Sequence, residues 1–169
     1  MSTPDAPVSV PGSRDVSAAG QGIAMAAVAL NTAMSQAMGL HPSEGLCLWH
    51  VTESAYGEPL TAGKLAEATG LTTGAITGII DRLEAAGLVR RERDTADRRK
   101  VFIRPVPARM AIITELFAPM EGEFDELVRQ YRPEQVTVIF DYLSRSVGIL
   151  HAQIERLRAV RVGSAGRQG

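Results

Sequence analysis

Leu60 to Pro105 reads LTAGKLAEATGLTTGAITGIIDRLEAAGLVRRERDTADRRKVFIRP. Thr61 stands before a short run, Ala62 to Ala68, that Gly70 ends. Thr72 stands before a longer one, Thr73 to Ala86, that Gly87 ends. A hydroxyl at the start accepts an orphan backbone N–H, and a glycine at the end takes the left-handed conformation that closes a helix. Two short helices joined by a tight turn are predicted. Leu88–Arg93 and Val101–Arg104 then read as strands, with Asp94-Thr95-Ala96-Asp97-Arg98-Arg99-Lys100 between them. That is a β-hairpin with a charged tip.

At 100° per residue, Ile76, Ile79, Ile80 and Leu83 share one face of the second helix and must be core. The opposite face holds Gly74, Thr77, Gly78 and Asp81, with Thr73 at its edge. Each glycine costs about 1 kcal/mol relative to alanine on an exposed helix. It is either a tolerated defect or a place where the helix backbone comes close to something outside the chain. Thr73 and Thr77 can offer hydroxyls to phosphates or bases and methyls to thymine. The hairpin favours the second reading. From Leu88 to Arg104 there are seven basic residues, Arg90, Arg91, Arg93, Arg98, Arg99, Lys100 and Arg104, against Glu92, Asp94 and Asp97. A local charge of +4 stands in a chain of net charge -1. Arginine at a hairpin tip suits the focused negative potential of a minor groove. Helix, turn, helix and hairpin in this order make a winged helix-turn-helix, a DNA-reading module.

Outward from this block the pattern is helical. Ser17 to about Gly39 reads as a first helix, after a Pro-, Ser- and Gly-rich tail at 1–16. His41-Pro42-Ser43-Glu44 is a break, and Ser43 caps a second helix that ends near Ala55, before Gly57 and Pro59. Beyond Pro105 and Pro107 a long helix runs to about Tyr131, with a kink expected at Pro119. A final helix opens at Pro133 and ends near Arg161, ahead of a polar tail. Its apolar residues Val136, Phe140, Leu143, Val147, Leu150, Ile154 and Leu157 form a heptad seam. The seam packs either within its own domain or against a second chain. Glu115, Glu121, Glu123, Asp125 and Glu126 have no basic neighbour between Met110 and Val128, so that segment should face away from DNA.

The 169 residues, 45% hydrophobic and 22% charged, are ordinary for a globular protein. Read as mainly α with one hairpin wing, the chain is long enough to bury a core without staples, and the single cysteine forbids an intrachain disulfide. The charge balance excludes a uniformly basic coat protein. The most apolar stretch, Ile23–Leu40, is broken by Asn31, Thr32, Ser35 and Gln36, so no membrane span is expected, and a cytoplasmic protein follows. Cys47 and His50 are one turn apart, but His41 and His151 are not placed to complete a metal site. No metal, cofactor or catalytic constellation is expected. Cys47 lies in the apolar setting Leu46-Cys47-Leu48-Trp49, which suits an inert buried thiol.

IIDRLEAAGLVRR, Ile79 to Arg91, and ERDTADRRKVFIRP, Glu92 to Pro105, closely resemble the multiple-antibiotic-resistance regulator (MarR) family. The flanking helices fit the same pattern over about residues 17–160. The resemblance implies a homodimeric transcription regulator, more often a repressor, on a pseudo-palindromic operator. Residues 17–42 and 106–161 would form its dimerisation lobe and 43–105 its DNA-binding domain. The implied DNA contacts are Thr72, Thr73, Gly74, Thr77, Gly78, Arg82, Arg93, Asp97, Arg98, Arg99 and Lys100. Asp97 is implied to orient Arg99 into the minor groove, and Arg82 to meet a phosphate or an internal ion pair. A small aromatic or amphipathic anionic effector is implied too, in a pocket to which Met38, His41, Trp49, His50, Met110, Ile113 and Phe117 are assigned by position. Family members often carry basic or polar side chains where this chain has Gly74, Ala75 and Gly78. Two rival readings of the same module are a protein-interaction domain with no operator and a ligand-independent architectural DNA binder.

Overall fold

The computed structural model describes residues 10–54 and 60–165. The elements are α1 (Ser13–Ala37), α2 (Pro42–Glu53), β1 (Leu60–Thr61), α3 (Ala62–Thr69), α4 (Thr73–Ala85), β2 (Val89–Arg93), β3 (Val101–Pro105), α5 (Pro107–Arg129) and α6 (Pro133–Ala165). The chain divides into two compact units after Ile113, within α5.

The first unit holds the helix-turn-helix and hairpin. Its core joins Cys47, Leu48 and Val51 of α2, Leu65 of α3, the four apolar residues of α4, and Val89 and Ile103 of the sheet. Ile76, Ile79, Ile80 and Leu83 are all buried, as their periodicity requires. Each such side chain contributes about 1.5–3 kcal/mol on leaving water. The hydroxyl caps form as expected: Thr61 Oγ1 accepts from Lys64 N and Thr72 Oγ1 from Ala75 N, both at 3.3 Å. Gly70 and Gly87 take the left-handed region at φ 72° and 70°.

The hairpin becomes a three-stranded antiparallel sheet in the order β1-β3-β2. Leu60 pairs with Ile103 and Thr61 with Phe102, while β2 runs beside β3 from Val89↔Pro105 to Arg93↔Val101. β1 is not legible in the sequence, because two residues are too short to show an alternating pattern.

Several boundaries differ from expectation. α1 begins at Ser13, not Ser17, because Asp15 Oδ2 accepts the Gly12 N–H at 2.9 Å and starts the helix a turn earlier. Residues 13–16 are therefore helical rather than tail. α2 is capped by His41, not Ser43: the His41 ring accepts from Ser43 N at 3.3 Å, and Glu44 Oε2 accepts from His41 N at 2.9 Å. The expected stop at Gly57 and Pro59 and the outer parts of both tails lie outside the described residues. α1 is also long and apolar enough to cross a membrane by length and composition. This corrects the expectation that no segment qualifies; its alanines weigh as apolar on a hydropathy scale. Asn31 and Ser35 nevertheless tie its last turns to α2. Asn31 Nδ2 donates to Pro42 O at 3.2 Å, and Ser35 is fully buried against Gly45.

In the second unit α5 continues through Pro119 without interruption. α6 opens with Arg132 N donating to Gln135 Oε1 at 2.9 Å, so a glutamine supplies the acceptor that a Ser or Thr cap would give. α6 extends to Ala165, beyond the expected Arg161. The seam residues Phe140, Leu143, Val147, Leu150, Ile154 and Leu157 are all exposed in the single chain.

Candidate nucleic-acid interface

α4 turns its apolar side to the core and leaves Thr73, Gly74 and Thr77 exposed. A Cβ on Gly74 would meet nothing within 4 Å. Nothing in the fold requires glycine there, so the bare backbone is available to an outside surface. Two of the three threonine hydroxyls, at 72 and 77, are already engaged. Thr72 Oγ1 is the helix cap, and Thr77 Oγ1 donates to Thr73 O at 3.0 Å. Thr77 therefore presents its methyl group and remaining lone pairs rather than a free donor.

Arg82 lies farther along α4. Its Nε donates to Glu44 Oε1 of α2, joining an exposed guanidinium to a buried carboxylate. Its terminal NH2 groups have no protein partner among the described residues. Arg82 takes part in the internal ion pair that the resemblance allowed. The Arg82 guanidinium beside Glu44 holds that carboxyl below its usual range, against the opposing effect of burial. A cleft of about 440 Å³ opens here, bounded by His41 and Ser43 at the start of α2, Leu71, and Gly74, Ala75, Gly78, Ile79 and Arg82.

The wing tip is built on its two aspartates. Asp94 Oδ1 accepts from Ala96 N at 2.6 Å and Asp97 N at 3.0 Å, and these bonds lower its pKa. Asp97 Oδ1 accepts from the backbone N of Arg99 at 3.1 Å. Asp97 thus acts on Arg99 through the main chain, not through the guanidinium. Arg93, Arg98, Arg99 and Lys100 are exposed, and the first three have no ion-pair partner among the described residues. The other wing cations are committed. Arg90 pairs with Glu92 at 3.2 Å, Arg91 with Asp81 and Glu84, and Arg104 lies over the Phe102 ring at 5.7 Å. The unpaired positive charge is concentrated at the tip.

The residues assigned to an effector are placed as follows. Met38, Met110 and Ile113 pack half-buried against the core. Trp49 is 54% exposed, and half-buried His50 has its pKa lowered by burial. His41 caps α2 and borders the cleft described above. Phe117 belongs to the second unit. Burial pushes the Cys47 thiol up to about 11. Among the described residues no group of three His, Cys, Asp or Glu could hold a metal. Sequence reasoning missed the pairing of Glu44 with Arg82. An acid three residues after a helix cap signals a capping role, but its partner 38 positions away is visible only in three dimensions.

The MarR family model matches residues 40–101. The chain is 38% identical over 131 residues to the uncharacterized HTH-type transcriptional regulator YcgE of Bacillus subtilis, covering 78% of this chain and 83% of that protein. Among solved structures, a MepR mutant from a multidrug-resistant S. aureus clinical isolate aligns with a TM-score of 0.62 at 20% identity, over 80% of this chain and 96% of that one. A different S. aureus MepR mutant, bound to an oligodeoxyribonucleotide, aligns at 0.51 and 17% identity, over 80% and 97%. These structural likenesses concern the fold alone, which is a mainly helical winged helix with a small sheet. The family match over the module, joined to the near full-length relative, places the chain in the MarR family: it is a DNA-binding transcriptional regulator, not an enzyme.

Proposed function

We propose that the protein acts as a homodimeric repressor on a pseudo-palindromic operator. Each subunit lays α4 in a major groove and its wing in the flanking minor groove, with half-sites about 10 bp apart or a multiple of that. The observation that carries this reading is the pairing of the exposed α4 face at Thr73, Gly74 and Thr77 with the unpartnered cations Arg93, Arg98 and Arg99. With few free donors on α4, sequence preference rests on methyl contacts, bridging water and groove shape.

The exposed α6 seam and the exposed Ile23, Met25 and Val28 of α1 support a paired molecule, because apolar rows of this length are rarely left in water. Release by a small aromatic or amphipathic anion belongs to the same reading, supported by the accessible Trp49 among the residues assigned to it. Gel shift of the purified protein against its own upstream DNA, over a salt series, tests the proposal. Sequence-specific binding that weakens steeply with salt, by a dimer in sedimentation, is expected. Adding aromatic carboxylates to the complex tests release. A monomer, or one affinity for every DNA fragment, would refute the reading.

A further inference from the structure

We propose that Glu44 is a positioning residue of the DNA interface. By holding Arg82 Nε, it fixes that guanidinium over Gly78 with both terminal NH2 groups left unpartnered among the described residues, as a clamp for one operator phosphate. The proposal rests on the DNA-binding reading above.

Both Glu44 oxygens are used. Oε2 accepts the His41 N–H at 2.9 Å, and Oε1 accepts Arg82 Nε. The carboxylate sits on a closely packed turn. The next residue, Gly45, is pressed against buried Ser35 so closely that a Cβ there would overlap Ser35 Oγ, and Asn31 Nδ2 holds Pro42 O. The fixed end of the pair is therefore Glu44, whose side chain is 10% exposed, and the presented end is Arg82, at 62%.

Side chains on a helix lean toward its N-terminus, so Arg82 lies back over the residue four before it, Gly78. A Cβ there would touch Arg82 Nη1 at 3.4 Å. Glycine at 78 thus gives the guanidinium a flat seat. A free arginine loses much rotamer freedom when it grips a phosphate. An arginine already held at Nε has lost that freedom before DNA arrives, while its two outer nitrogens keep the paired donors that suit a phosphate. Arg82 borders the cleft between the start of α2 and α4, beside the face assigned to the groove.

The test turns on sign. Glu44 is an acid close to DNA, so simple Coulomb attraction predicts tighter binding when its charge is removed. A positioning role predicts the reverse. In the full-length protein, E44Q should weaken binding to its upstream DNA about tenfold and flatten the salt slope by about one phosphate-equivalent. R82A should do the same, and E44Q in the R82A background should add nothing. E44D keeps the charge and a helix-capping oxygen but draws back from Arg82, and it should weaken binding too. This second variant decides the matter if E44Q melts early. Equal or tighter binding by E44Q and E44D, or losses that add in the double variant, would overturn the proposal while leaving DNA binding intact. A wild-type protein that binds no DNA would overturn both.

Discussion

Arg91 on β2 and Asp81 on α4 lie 2.6 Å apart, and Glu84 takes the other side of the same guanidinium. Glu84 Oε1 also accepts the Arg91 backbone N–H at 2.9 Å. The hairpin is thereby tied to the C-terminal half of α4, and one of its seven cations is held as a brace.

Two arginine substitutions should therefore separate. Arg91→Ala should cost about 1 kcal/mol or less of stability, given the exposure of its partners, and leave the salt slope of DNA binding nearly unchanged. Arg99→Ala, at the unpaired tip, should leave the thermal melt unchanged and reduce the slope by roughly one phosphate-equivalent. Melts and salt titrations of both variants check this; identical behaviour would contradict the division.

Gly74→Ala adds a methyl group that meets nothing in the free protein. It should stabilise the fold by about 0.5 kcal/mol through the lower chain entropy of the unfolded state. It should also weaken DNA binding, because the methyl group then stands between α4 and the groove. Denaturant titration and gel shift on one preparation show whether the two properties move in opposite directions.

Gly45→Ala should destabilise by about 1–3 kcal/mol, the usual range for an overpacked site. The added Cβ would overlap Ser35 Oγ and fall 3.0 Å from Ser35 Cβ, with α1 packed behind them. Adding Ser35→Gly should recover part of the loss. Chemical denaturation of the single and double variants measures the coupling.

Glu44 and Glu84 both have folded-state pKa values below the ordinary 4.5 of a glutamate. Arg82 is the main cause for the first, and the backbone N–H of Arg91 for the second. A depressed carboxylate contributes stability that is complete above its unfolded pKa and is lost as pH falls through its folded pKa. The melting temperature should therefore decline on acidification below about pH 4.5, and E44Q should flatten that decline. A parallel acid profile in E44Q would exclude the Glu44 share.

Cys47 is fully buried, with its pKa raised to about 11 by loss of solvent, and the nearby Glu44 charge adds to the shift. The thiolate is the reactive form. At about pH 8, well below that value, the native protein should leave a thiol reagent unconsumed, and one equivalent should react on unfolding in denaturant. Rapid reaction of the native protein would contradict this burial.

The helix-turn-helix could be read from the chain because its instructions are local. Thr61, Thr72, Gly70 and Gly87 mark ends through bonds and torsions within a few residues. Ile76, Ile79, Ile80 and Leu83 declare a buried face by spacing alone. The hairpin followed from two runs and a polar tip. Tertiary structure decided what depends on residues distant in sequence. Two-residue β1 is a strand only because β3 offers Ile103 and Phe102 as partners. Seven wing cations look alike in sequence, yet Asp81, Glu84 and Glu92 engage two of them. Glu44 stands in the sequence only as part of a helix break, until folding gives one oxygen to the His41 N–H and the other to Arg82. Local torsional preference and periodicity are written residue by residue, whereas an ion pair or a strand partner exists only once the hydrophobic core has brought separate segments to bonding distance.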